Sequence, residues 1–105
     1  MKKKVHPPSV SHDEGLIEDL RNDPELAQEL LRISLAEAGE EGGDYILQKT
    51  LRLLAEARGV AKVAKSAGIP RESLSRALSE RGNPRLSTLQ AVTAALGLRL
   101  TIARI

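Results

Sequence analysis

The sequence predicts an all-α fold: a helical bundle that contains a helix-turn-helix and ends in one short β-strand. Leucine occurs 17 times and alanine 13 times among the 105 residues, and Tyr45 is the only aromatic residue. Cores built from leucine and alanine favour packed helices over β-sandwiches. Apolar residues recur at helical spacing along most of the chain, and residues 60–79 carry the pattern of two helices joined by a tight turn.

The first ten residues predict a flexible basic arm, residues 1–10. Pro7 and Pro8 favour extended structure, and little apolar material surrounds them. Ser11 and Glu14 then have the S-x-x-E spacing of a capping box, which predicts a short helix from about residue 12 to 21.

A second helix is expected at residues 24–38. Asp23 suits the N-cap and Pro24 suits the first helical position. Apolar side chains then recur every three or four residues until Gly39 ends the pattern. Residues 11–39 therefore form an acidic N-terminal helix pair, followed by a polar joint.

Two further helices are predicted at residues 45–58 and 60–67. Asp44 is expected to cap the first of them, whose leucines follow helical spacing. Gly59 and Gly68 are the expected stops.

The fifth and sixth helices are predicted at residues 71–80 and 88–96. A turn of sequence RGNP separates them at residues 81–84. Ser87 and Gln90 have the S-x-x-Q spacing of a capping box for the sixth helix.

Strict alternation at Leu98, Leu100 and Ile102 predicts a strand at residues 98–102. A lone strand needs a partner for its backbone groups. A second copy across a two-fold axis would supply it and bury these three side chains, which predicts a homodimer. The alternative is an extended tail folded back on its own core. With this strand at its end, we expect residues 44–105 to form one domain, which contains the helix-turn-helix described next.

The helix-turn-helix prediction depends on five positions between residues 60 and 79. Ala64 is small where two helices must cross closely, and Gly68 accommodates a positive φ at the end of the first helix. Ile69 follows as an apolar plug, and Leu74 and Ala77 face inward from the second helix. In this motif the second helix enters the major groove of DNA.

Outward side chains of that second helix are the candidates for reading base edges: Arg71, Glu72, Ser75, Arg76 and Ser79. Further polar side chains on the first helix and after the second are candidates for phosphate contacts: Lys62, Lys65, Arg81, Asn83 and Arg85. The alternative is that all of these are ordinary solvated side chains on amphipathic helices.

The charge is distributed unevenly along the chain. Residues 5–44 hold eleven acidic side chains against two arginines, whereas residues 45–105 hold eleven basic side chains against three glutamates. Such asymmetry suggests two surfaces with different partners, the basic one facing a polyanion such as double-stranded DNA. Mutual attraction of the two halves is the alternative.

The sequence gives little support for a catalytic function. There is no cysteine, and the two histidines, His6 and His12, lie in or beside the arm without metal-ligand spacing. No histidine is available in the folded region to activate a serine. No apolar run approaches the length of a membrane span, and no signal peptide is evident. We expect a cytoplasmic protein that is not an enzyme and needs no cofactor or metal.

Several short runs carry a family resemblance: GIPRESL at residues 68–74, RALS at 76–79, GNP at 82–84 and LGLRL at 96–100, with the acidic DPELA at 23–27. In these runs the chain resembles the addiction-module antidote proteins, small HigA-like antitoxins of bacterial toxin–antitoxin operons. The resemblance implies a lambda-repressor-like (Xre/Cro) helix-turn-helix, a dimeric repressor of its own operon, and a small RelE/ParE-like toxin as cognate partner.

The predicted function is therefore sequence-specific DNA binding, as the antitoxin of a type II toxin–antitoxin operon. Two alternatives stay open at this point. One is a phage-type transcriptional repressor without a toxin. The other is a protein-interaction module that keeps the helix-turn-helix fold and binds an acidic protein through its basic face.

Overall fold

The computed structural model describes residues 12–79 and 81–105. The predicted arm, His6 and the cap residue Ser11 lie outside the described residues. These residues form six helices: α1 (His12–Asn22), α2 (Pro24–Ala36), α3 (Gly43–Arg58), α4 (Val60–Ala67), α5 (Arg71–Ala77) and α6 (Leu86–Ala95). The predicted all-helical fold is confirmed, and it is compatible with a helical bundle.

The helices share one apolar core centred on α3. The helices α1 and α2 pack on α3, and α4 packs on α3, α5 and α6. Four side chains at the centre are almost completely buried: Leu51, Val63, Leu74 and Val92. Leu20 of α1 and Leu31 of α2 belong to the same buried cluster. The acidic helix pair therefore packs into the same core as the four helices that follow it.

Two hydroxyl groups lie inside this core, where α2 meets α3. Ser34 Oγ lies 2.9 Å from Thr50 Oγ1 and donates to the carbonyl oxygen of Leu30 at 2.7 Å. Both side chains are buried. Buried hydroxyls are tolerated when they are hydrogen bonded, so this pair fixes one position of α2 against α3.

Four helices, α1, α2, α4 and α5, begin where predicted, whereas α3 and α6 begin two residues earlier. Asp23 caps α2 as predicted, since its Oδ1 accepts the N–H of Leu26 at 3.1 Å. Asp44 does not cap α3: the N-cap is Gly42, and Asp44 lies within the first turn. The predicted cap at Ser87 is also wrong, because α6 begins earlier, with Arg85 at its N-cap and no side-chain hydrogen bond.

The predicted strand is wrong. Among the residues described, none forms a β-strand, and residues 98–105 follow α6 without regular structure. The backbone N–H of Leu98 donates to Thr93 of α6 rather than to a neighbouring strand. Leu98 and Leu100 are half-buried and Ile102 is 96% exposed. The alternation of apolar residues is therefore insufficient to form a strand, because the described part of this chain offers no second strand to pair with.

Helix α5 is also shorter than predicted, ending at Ala77 rather than at residue 80. Within the described parts of the chain, none of the helices has the length and apolar character needed to cross a bilayer.

Candidate nucleic-acid interface

Helices α4 and α5 are joined by Gly68, Ile69 and Pro70, and Ile69 packs against the core as predicted. Gly68 ends α4 in the left-handed conformation, at φ +73°. The N–H of Ile69 then donates to the carbonyl oxygen of Ala64 at 3.0 Å, and Pro70 precedes α5 in extended conformation. Only glycine adopts this φ at little cost. The turn thus sets the angle at which α5 leaves α4.

One face of α5 is buried and the rest is open. Leu74 is fully buried against the core, and Leu78, just after the helix, is buried too. The four predicted outward residues of the helix are all exposed: Arg71, Glu72, Ser75 and Arg76. Their side chains form no hydrogen bond or ion pair with other described residues. The helix therefore presents two guanidinium groups, a carboxylate and a hydroxyl that are free to contact a ligand.

Ser79 lies beyond the end of α5 and is half-buried. Its hydroxyl donates to the carbonyl oxygen of Arg76 at 2.8 Å. This group satisfies one of the carbonyls that a helix leaves unpaired at its C-terminus. The Ser79 hydroxyl therefore donates its hydrogen bond within the chain, unlike the outward side chains of α5.

The loop after α5 carries three more of the predicted residues, and all three are exposed: Arg81, Asn83 and Arg85. Gly82 lies between Arg81 and Asn83, and its N–H donates to the carbonyl oxygen of Ser79, just after α5, at 2.9 Å. The carbonyl oxygen of Gly82 accepts a hydrogen bond from the side-chain amide of Gln48 in α3. The loop is therefore held at two points while its polar side chains extend into solvent.

Helix α4 contributes two exposed lysines, Lys62 and Lys65. Lys62 also lines a groove between the end of α1, the first half of α2 and the ends of α3 and α6. Apolar side chains line most of the groove: Leu20, Pro24, Ala27, Leu54, Ala57, Leu96 and Leu98. Lys62 therefore has two neighbourhoods, the basic surface of α4 and this groove.

Two arginines at the groove have roles that the sequence did not indicate. Arg21 Nε donates to the carbonyl oxygen of Ala57 at 3.1 Å, and Arg58 Nη2 donates to that of Leu96 at 2.8 Å. Both acceptors lie at helix C-termini, where cations are favourable. These two arginines thus connect α1 to the end of α3 and α3 to the end of α6.

The charges of the molecule are segregated. From residue 60 to 85 there are six lysines and arginines and two glutamates, whereas acidic side chains dominate α1 and α2. Asp13 of α1 lies 3.4 Å from Lys49 of α3. On α2, Arg32 donates to Glu29 and thereby lowers the pKa of that carboxyl group. Glu14, Glu25 and Glu29 are exposed, whereas Asp13, Glu18 and Asp19 are half-buried. The chain therefore has a basic and an acidic region.

The sequence missed one residue of this region, Gln48. It lies in α3, outside the helices and the turn that carry the predicted contacts. Its contact with Gly82 joins residues 34 positions apart. Short-range patterns describe neighbours along one helix or turn, so a contact over this distance leaves no signature in them.

Comparison with known proteins gives two similarities. The model of a family described as "probable addiction module antidote protein" matches residues 17–104 of the chain. A protein of Haemophilus influenzae, described as uncharacterized, is 34% identical over 76 residues, which are 72% of this chain and 78% of that protein. No solved structure matches. The family match runs from within α1 to the C-terminal segment and includes every residue of the candidate interface.

Proposed function

Since the chain belongs to the family of probable addiction module antidote proteins, we propose that it is the antitoxin of a type II toxin–antitoxin operon and represses its own promoter. In this proposal it acts in the cytoplasm by binding, without catalysis. The single observation that carries the DNA-binding part is the exposed face of α5. Helices α4 and α5 with their three-residue turn serve as a helix-turn-helix of the Xre/Cro type, as in HigA-like antitoxins.

In this proposal α5 is the recognition helix. Arginine reads guanine through two hydrogen bonds, a carboxylate accepts from cytosine, and serine suits either role. Arg71, Glu72, Ser75 and Arg76 provide these groups on one exposed surface. A phosphate contact is the alternative role for Arg76, which lies in the last turn of α5.

Phosphate contacts flank this helix. Lys65 and Lys62 extend from α4, and the loop after α5 presents Arg81, Asn83 and Arg85. Such contacts fix the register of a protein on the duplex and make its affinity fall with salt. Their support is the excess of basic side chains between residues 60 and 85.

A homodimer completes the DNA-binding unit. Ile102 is almost fully exposed, and Leu100 is half-buried. A second copy that covers these side chains removes apolar surface from water. A two-fold dimer would then present two copies of α5 to half-sites about 10 bp apart or a multiple of that spacing.

The antidote's partner is a toxin, which we propose is small and RelE/ParE-like. The exposed carboxylates of Glu14, Glu25 and Glu29 suit a basic partner surface, and electrostatic attraction of this kind speeds association. Co-expression with the protein encoded beside this gene, followed by purification through a tag on the toxin, is expected to yield a complex. Recovery of the toxin alone at low salt would reject the pairing.

Fluorescence anisotropy tests the DNA-binding part. The probes are DNA from directly upstream of the gene and a scrambled duplex of the same composition, each measured across a salt series. We expect tighter binding to the upstream DNA by about 4–10 kcal/mol, with an affinity that falls steeply with salt. Equal affinity for both duplexes would reject autorepression and favour a protein partner for the basic face.

A further inference from the structure

Gln48 makes an unusual contact between α3 and the loop that follows α5. Its side-chain Nε2 donates to the carbonyl oxygen of Gly82. Its Oε1 is buried and has no hydrogen-bond partner among the residues that the structure describes. A buried polar atom without a partner destabilises a fold. An apolar side chain of similar size would avoid this penalty but would lose the hydrogen bond to Gly82, so that contact is what the amide provides.

A second contact holds the same loop against α5. A Cβ atom on Gly82 would lie only 2.2 Å from the carbonyl oxygen of Ala77 and 2.5 Å from that of Arg76. Only glycine therefore permits this approach. The loop is fixed on one side by the end of α5 and on the other by Gln48.

The anchored loop carries charged side chains of the proposed interface. Arg81 precedes Gly82, Arg85 follows it three residues later, and both are exposed, as are Arg71 and Arg76 on α5. Phosphates along a duplex have fixed spacings, so both sets of arginines reach the DNA together only if the loop keeps its position relative to α5. Holding the loop before binding also reduces the entropy lost on binding.

We infer that Gln48 is a positioning residue for DNA binding: its hydrogen bond to Gly82 holds Arg81, Asn83 and Arg85 in register with the exposed face of α5. The residue acts through the loop and has no contact of its own with DNA in this inference. The inference rests on the proposed function, because it concerns the same interface.

Gln48→Met separates positioning from plain structural support. Methionine keeps the volume, removes the hydrogen bond to Gly82 and removes the unpartnered Oε1. We expect a thermal midpoint that is unchanged or higher, together with an affinity for the upstream DNA about fivefold lower, the factor that one net hydrogen bond provides. Gln28→Met, at an exposed position of α2, is the matched control and should change neither. A lower midpoint with unchanged affinity would overturn the inference.

A double-mutant cycle identifies the route of the effect. When Arg81 and Arg85 are both alanine, Gln48→Met should reduce affinity little further, because the loop has lost its cations. When Arg71 is alanine, the factor for Gln48→Met should remain near its value in the native background, because the two sites are independent. Equal factors in both backgrounds would overturn the inference.

Hydrogen exchange provides a readout without DNA. The N–H of Gly82 is bonded to Ser79, and we expect Gln48→Met to speed its exchange while Leu74, in α5, keeps its rate. Unchanged exchange at Gly82 would refute the positioning role even if the native protein binds its operator. Native protein without sequence-selective binding, but with faster exchange in Gln48→Met, would instead reject the proposed function and leave Gln48 as a loop anchor only.

Discussion

Replacing Arg71 by alanine is expected to weaken operator binding and leave the fold intact. Arg71 is the first residue of α5 and is exposed. Its guanidinium group has no hydrogen bond or ion pair with another described residue. Truncation of such a side chain changes the free energy of unfolding by less than about 0.5 kcal/mol. Any loss of affinity would therefore come from a lost contact with DNA.

The size and form of the loss distinguish two kinds of contact. A bidentate contact to guanine provides about 1–3 kcal/mol, which is a factor of about 5 to 150 in affinity for each copy on the operator. The affinity for the operator would then fall, while the affinity for the scrambled duplex would change little. A phosphate contact would instead weaken both duplexes alike and reduce the slope of log K against log salt by about 0.9 per copy.

Anisotropy at salt concentrations from about 50 to 200 mM measures both quantities, and circular dichroism follows the thermal midpoint of each variant. Arg32→Ala is the control, because it removes the same charge from an exposed position of α2. If Arg71→Ala binds the operator as tightly as the native protein at every salt concentration, α5 does not read DNA in the way proposed. A similar loss for Arg32→Ala would mean that net charge alone sets the affinity.

Three further predictions concern stability. Gly82→Ala should lower the free energy of unfolding by about 1–3 kcal/mol, because its Cβ would overlap backbone oxygens. The control Gly39→Ala, at a position with open space around it, should leave the free energy of unfolding unchanged, and equal urea midpoints for the two variants would contradict the packing argument. Ser34→Ala and Thr50→Val should each destabilise by about 1–3 kcal/mol, and the double variant by less than their sum; strict additivity in denaturant titrations would show that the hydroxyls are uncoupled. Asp23→Ala should cost about 1 kcal/mol through loss of the α2 cap, and an unchanged thermal midpoint would argue against that cap.

The order and type of the helices could be predicted because local signals mark them. The pair Asp23-Pro24 places the start of α2, and the positive φ of Gly68 ends α4 where expected. Leu74 also takes the inward, buried position predicted for it. All of these depend on residues within a few positions of one another, which is the range over which sequence patterns carry information.

The remaining features depend on contacts between distant parts of the chain. The alternation from Leu98 to Ile102 has the period of a strand, but pairing requires a second strand that the described residues do not supply. Gln48 belongs to the same class, because its role depends on the position of Gly82. Asp44 and Ser87 are suitable cap residues that stand inside their helices, since the backbone begins each helix earlier.

The sharing of one core by α1, α2 and the later helices has a consequence for the lifetime of the chain. A protease that takes hold of α1 must first withdraw Leu20 from the cluster that also contains Leu51 and Leu74. Because packed cores of this size open cooperatively, that step exposes the whole domain to digestion. A trimmed form that has lost the acidic helices yet keeps an intact α5 surface should therefore not accumulate, and degradation would remove both proposed binding surfaces together.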